Sequence, residues 1–119
     1  MKGILTSDLT PYLDTDIIEA GGAHPLVVDT GFNDSLYLPE DLITAWNLPF
    51  VIVSTIKLAD GSLVAADLYE ANIVWLGTKR RVTVLAGPIG CDSILGMRIL
   101  VGHRLELDER NAEVRIEQI

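Results

Sequence analysis

The chain has 119 residues, with 17 Asp plus Glu against 9 Lys plus Arg, a net charge of −8, and 49% hydrophobic side chains. That balance excludes a nucleic-acid backbone as partner, because such binding needs clustered cations to displace counterions. No low-complexity or Pro/Gly/Ser-rich tract interrupts the chain, so one domain over 1–119 is expected, burying roughly two thirds of the surface its unfolded form exposes.

The single cysteine, Cys91, leaves no intrachain disulfide and no paired-cysteine metal spacing. His24 precedes Pro25 and His103 follows Gly102, so both read as loop or strand-end residues rather than ligands. No metal and no cofactor are expected. Polar residues interrupt Met1 to Asp8 before a signal-peptide core can form, and no apolar run reaches the roughly 20 residues that cross a bilayer. A cytoplasmic protein without membrane contact is the expectation.

Tyr12 to Ile18 mixes apolar and polar positions as a half-exposed strand does, and Gly21-Gly22 marks a reversal. Pro25 to Val28 then pairs antiparallel with its predecessor. Leu36-Tyr37-Leu38 reads as a strand and Pro39 to Asn47 as a short helix, with early proline and acids suited to a helix start and Leu42, Ile43 and Trp46 facing inward. Val51 to Leu58 and Leu63 to Trp75 flank Asp60-Gly61, the clearest hairpin signal in the chain. Lys79-Arg80-Arg81, the one basic cluster, follows Leu76-Gly77-Thr78 and reads as a solvated hairpin turn. Val82 to Ala86 is a strand, Gly87-Pro88 a break, and Met97 to Leu100 a helical turn. Arg104 to Leu107 and Glu113 to Ile116 alternate with period two around Asp108 to Asn111. Many short strands with little helix describe an all-β barrel with one or two short helices.

Within this pattern Leu26-Val27-Val28-Asp29-Thr30-Gly31 stands out: an apolar strand ends by delivering a carboxylate, a hydroxyl and a permissive backbone to the edge of the core. Asp-Thr-Gly alone also describes an ordinary turn. A second, distant stretch, Ile94-Leu95-Gly96, raises it above that. Asp14-Thr15, Asp34-Ser35 and Asp92-Ser93 each lack the following glycine, so the chain holds one such motif.

Asp29-Thr30-Gly31 and Ile94-Leu95-Gly96 together resemble the retroviral-type (retropepsin-like) aspartic proteases, with small prokaryotic members the nearer comparison. The resemblance implies a closed barrel in which Asp29, Thr30 and Gly31 form the catalytic loop. Ile94, Leu95 and Gly96 pack behind that loop, and Ala59, Asp60, Gly61 and Ser62 tip a hairpin flap over a polypeptide substrate that also touches Phe32 and Asn33. Two close carboxyl groups cannot both ionise readily, so one holds a proton while the other acts as base toward water. A single motif supplies half of that pair. The resemblance therefore implies a homodimer, in contact through the catalytic loop and the chain ends, with one Asp29 from each copy. The alternative is an inactive protease-fold dimer that binds peptides or partner proteins, with Phe32 filling the groove. Phe32 stands where the family usually has a small residue, which narrows or reshapes the adjoining subsites. Met97 stands where an arginine is common, with Arg98 one step on, leaving open how the family's supporting ion pair is replaced.

Overall fold

The computed structural model describes residues 1–119. In chain order it contains β1 (Lys2–Leu5), β2 (Pro11–Ile17), a 3-10 turn (Ile18–Ala20), β3 (Gly22–Val28), β4 (Leu36–Pro39), α1 (Glu40–Ala45), β5 (Phe50–Lys57) and β6 (Leu63–Trp75). It continues with β7 (Thr78–Gly87), β8 (Ile94–Leu95), α2 (Met97–Leu100), β9 (His103–Asp108) and β10 (Glu113–Gln118). All ten strands share one sheet, ordered β5-β6-β7-β4-β8-β3-β2-β1-β10-β9. A further pairing of β2 with β6, Asp16 opposite Val74 and Ile17 opposite Ile73, closes the six strands from β6 to β2 into a ring. The expected all-β barrel with two short helices is what forms. β5 stands off one side of the ring with the first half of β6, and β1, β10 and β9 extend it beyond β2.

Period-two alternation sets the inside of the barrel. Leu13, Thr15 and Ile17 of β2 are fully buried while Asp14 and Asp16 between them are exposed. Ala71, Ile73 and Trp75 of β6, Val82 and Val84 of β7, and Val114 and Ile116 of β10 repeat the rule. All of these buried residues but Thr15 and Val114 join residues of β3, β4, β8 and the two helices, and Leu48, in a core cluster of 17 buried residues. Each fully buried Leu or Ile contributes about 1.5–3 kcal/mol by leaving water. In α1 only Ile43 is buried, with Leu42 and Trp46 half-covered beside it, and Pro39 sits just before the first helical turn.

Three local expectations need correction. The turn between β6 and β7 is Leu76-Gly77, and Lys79, Arg80 and Arg81 belong to β7 rather than to a solvated turn. Arg80 reaches across to α2, its guanidinium donating to the Ile99 carbonyl at 3.3 Å. His24 lies within β3, not in a loop, with its ring edge-on to Trp46 at 4.9 Å. Ile94-Leu95 is itself a strand, where the sequence suggested only a packed stretch leading into a helical turn.

Candidate active site

β8 explains how Asp29 is held. Two residues long, it lies between the two legs of the Asp29 loop: parallel to β3 through Val27–Ile94 and Val28–Leu95, antiparallel to β4 through Leu36–Leu95 and Tyr37–Ile94. Backbone bonds continue the wedge at both ends, Val27 N to Ser93 O at 2.8 Å and Asp29 N to Leu95 O at 3.0 Å. Beyond β8, Gly96 N donates to Ser35 O and Met97 N to Phe32 O, each at 2.8 Å, and Arg98 N to Asp34 O at 3.3 Å. The loop is thus fastened by main-chain groups along both sides, which no side-chain substitution removes directly.

Gly96 is required here for space. A Cβ on it would lie 2.1 Å from the Asp34 carbonyl oxygen and 2.5 Å from the Phe32 ring, distances no real Cβ tolerates. Phe32 therefore packs over Gly96 and meets Tyr37 edge-on, with ring centroids 6.0 Å apart. None of the chain's four ion pairs involves Arg98. What holds this region instead is those backbone bonds, with Arg80 donating to the Ile99 carbonyl of α2.

At the loop's tip Asp29 is half-exposed, and its Oδ1 accepts the Gly31 N–H at 2.8 Å while its carbonyl accepts from Phe32 N at 3.2 Å. One carboxylate oxygen is oriented by the loop's own backbone. Behind the loop, His24 Nε2 and Ser93 Oγ lie 3.0 Å apart, tying β3 to the approach of β8. Burial pushes the His24 imidazole below its ordinary 6.5, against the pull of the Asp14 charge.

Facing Asp29 is the hairpin of β5 and β6. Its turn is closed by Leu58 N to Ser62 O and Gly61 N to Leu58 O, each 2.9 Å, with Gly61 at φ +86°. Asp60 Oδ1 accepts both the Ser62 hydroxyl and the Ser62 N–H, which hold its carboxyl below the usual range. Between hairpin and loop lies a groove of about 530 Å³, lined on the loop side by Asp29, Gly31, Phe32, Asn33 and Asp34, and on the hairpin side by Thr55 to Ala59, with Tyr37, Leu85 and Ile94 at its floor. Past Asp34 and Leu85 the space continues into a second pocket of about 370 Å³ where Arg80, Arg81 and Arg98 are found.

Of the residues singled out from sequence, the structure brings Asp29, Gly31, Phe32, Asn33, Ala59 and Ile94 to this groove, and places Leu95 and Gly96 beneath the loop. Thr30 is exposed at the tip, and Asp60, Gly61 and Ser62 shape the turn without lining the groove. Asp34, Tyr37, Leu85 and the hairpin residues Thr55, Ile56, Lys57 and Leu58 also line the groove, and nothing in the sequence singles them out for it. Asp60-Gly61 marks the turn of the hairpin, whereas the residues leading up to that turn are those that overhang the loop.

No family model matches the chain, and no curated protein matches it in sequence. Among solved structures it is similar to a retropepsin-like aspartic protease from Rickettsia conorii, with a TM-score of 0.70 over 99% of this chain and 89% of that one, at 15% identity. It is also similar to EIAV protease complexed with the inhibitor HBY-793, with a TM-score of 0.60 over 81% and 89%, at 19% identity. The chain has the retropepsin fold.

Proposed function

We propose that this chain is an aspartic endopeptidase, a single domain acting as a cytoplasmic homodimer on polypeptide substrates without a cofactor. The observation that carries the reading is Asp29: a half-exposed carboxylate just past the buried end of β3, oriented by Gly31 N–H and facing an open groove beneath a hairpin. A second Asp29, from a partner copy, supplies the other half of the acid–base pair. One carboxylate takes a proton from water as the water oxygen attacks the peptide carbonyl carbon. The protonated partner stabilises the developing oxyanion, and a carboxyl proton then passes to the departing amine. Thr30, exposed beside Asp29, is the group that braces the two loops across the axis.

The hairpin suits a cover. Val51, Val53, Leu58, Leu63 and Val64 expose apolar surface on it, which a bound chain or a second flap can bury. The alternative of an inactive peptide-binding fold rested on Phe32 filling the groove; its packing over Gly96 with the groove still open favours turnover. The test is cleavage of an unfolded protein substrate across acidic to neutral pH by the wild type and Asp29→Asn. Hydrolysis by the wild type alone is expected, and equal hydrolysis by both would overturn the assignment.

A further inference from the structure

The groove continues in one direction along both of its walls. On the loop side it runs from Asp29 to Asp34, and on the hairpin side from Ala59 back to Thr55. The second pocket takes up the next residue on each wall, Ser35 and Ser54, and shares Asp34 and Leu85 with the groove. It therefore lies at the end of the groove away from the Asp29 carboxylate and the hairpin turn. Strand β7 extends it: Thr83 stands two residues before Leu85 and Arg81 two before that, so one strand face leads from the groove floor to a guanidinium.

That end of the groove is basic. Arg80, Arg81 and Arg98 stand at the pocket, three of the nine Lys and Arg residues in a chain of net charge −8, and Asp34 is the single acid among its lining residues. The three arginines are not equivalent. Arg80 is occupied, donating to the Ile99 carbonyl at 3.3 Å and to the Arg98 carbonyl at 3.5 Å. Arg81 meets Glu70 at 3.6 Å with a side chain 74% exposed, a contact worth little in water. Arg98 has no carboxylate at ion-pair distance, Asp34 included, although its backbone N–H donates to the Asp34 carbonyl. One free guanidinium and one weakly engaged guanidinium thus border a cavity lined also by Ser54 and Thr83. A guanidinium presents a planar fork of donors that matches a carboxylate two bonds at a time, so the occupant this chemistry selects is an anionic side chain. Asp34 at the neck repels the same charge, which favours a side chain long enough to carry its carboxylate past it, Glu over Asp.

We propose that this basic pocket binds an acidic side chain of the polypeptide substrate, at a position outside the two residues that flank the cut bond, with Arg98 and Arg81 holding its carboxylate. The proposal rests on the protease reading above and deepens it by naming a class of substrate. On a twofold dimer each copy supplies one such pocket, one for each side of the cut bond.

Extended apolar peptides carrying one Glu, Gln or Lys at each position in turn test it, at about pH 6, where Glu is ionised. Wild-type kcat/KM is expected to be about fivefold to tenfold higher for Glu than for Gln at one fixed distance from the cut bond, and lower still for Lys. The difference is expected to shrink as salt is raised. Arg98→Gln is expected to bring the Glu-to-Gln ratio near one, Arg98→Glu to push it below one, and Arg81→Gln to lower it less. The Arg98 side chain makes no ion pair in the chain, so these changes read the pocket rather than the fold, which circular dichroism checks. If Arg98→Glu folds poorly, Arg98→Gln alone carries the test. A Glu-to-Gln ratio near one in the wild type, or one that survives the Arg98 variants, overturns the pocket while cleavage leaves the protease reading standing. If no peptide is cleaved, the protease reading falls, and binding of the same peptides to Asp29→Asn protein, followed by fluorescence anisotropy, decides the pocket separately. Tighter binding of Glu than of Gln, removed by adding Arg98→Gln, supports it; equal binding overturns it.

Discussion

Gly96 beneath the Asp29 loop and Gly61 at the tip of the β5–β6 hairpin are both required by the backbone around them, for opposite reasons. Gly96 has an extended backbone, φ −104°, that any residue can adopt, but no room for a Cβ. Gly61 has nothing within 4 Å of a would-be Cβ, but its φ of +86° strains any other residue. The first belongs to a region fixed on every side by backbone bonds and buried packing, the second to a hairpin exposed along most of its length. Rigidity lies around the Asp29 carboxylate, and freedom in the hairpin that overhangs it; on the protease reading, that is where a substrate would enter.

The contrast can be broken in order of size. Asp29→Asn removes the base and its proton from the aimed side, and is expected to lower kcat by roughly 10³-fold or more with an unchanged circular dichroism spectrum. Asp92→Asn, which lacks the glycine of the motif, is expected to leave kcat as it is. Gly96→Ala drives a methyl group into the Asp34 carbonyl and the Phe32 ring, and a loss of about 3 kcal/mol in denaturant unfolding is expected. Gly61→Val disfavours the left-handed φ of the closed tip by about 1–2 kcal/mol, a strain the exposed turn relieves by opening locally rather than by global unfolding. Because the tip buries no core, kcat/KM is expected to fall several-fold while Tm moves little. A variant with normal kcat/KM and a lowered Tm would show that the hairpin is not a flap.

Acid acts on the fixed side. His24 takes up a proton less readily when folded than when unfolded, so its contribution is complete above 6.5 and fades as pH falls toward the lower folded value. Glu19 follows at lower pH: burial raises its carboxyl, but bonds from the Asn72 backbone and side chain outweigh that and hold it below 4.5. Its stabilisation is present above 4.5 and is lost on further acidification. The denaturant midpoint is therefore expected to decline in two phases, and His24→Gln to remove the first.

The carboxylate loop was legible because each motif residue is constrained locally: an apolar strand must end where Asp29 begins, and Gly96 must be small. The β5–β6 hairpin announced itself by Asp60-Gly61 between β-branched runs. Less legible was what depends on distant pairing. Two residues, Ile94-Leu95, show no period, and only β3 and β4 on either side make them a strand. His24 looked like a loop residue because Pro25 follows it, yet the β2 ladder accommodates both. Arg80 looked solvated among its basic neighbours, and its carbonyl partner on Ile99 lies 19 residues on. The closing strands were seen singly, but that they enclose β1 and leave β9 at the edge follows from sheet order, which alternation does not encode.

The central claim is that one active site takes Asp29 from two chains. Wild-type and Asp29→Asn protein, unfolded together and refolded at varied ratios and constant total concentration, test it most directly through the rate of peptide cleavage. A shared site leaves mixed dimers inactive, so the rate is predicted to follow the square of the wild-type fraction. A rate proportional to that fraction would mean that each chain works alone, and would contradict the account.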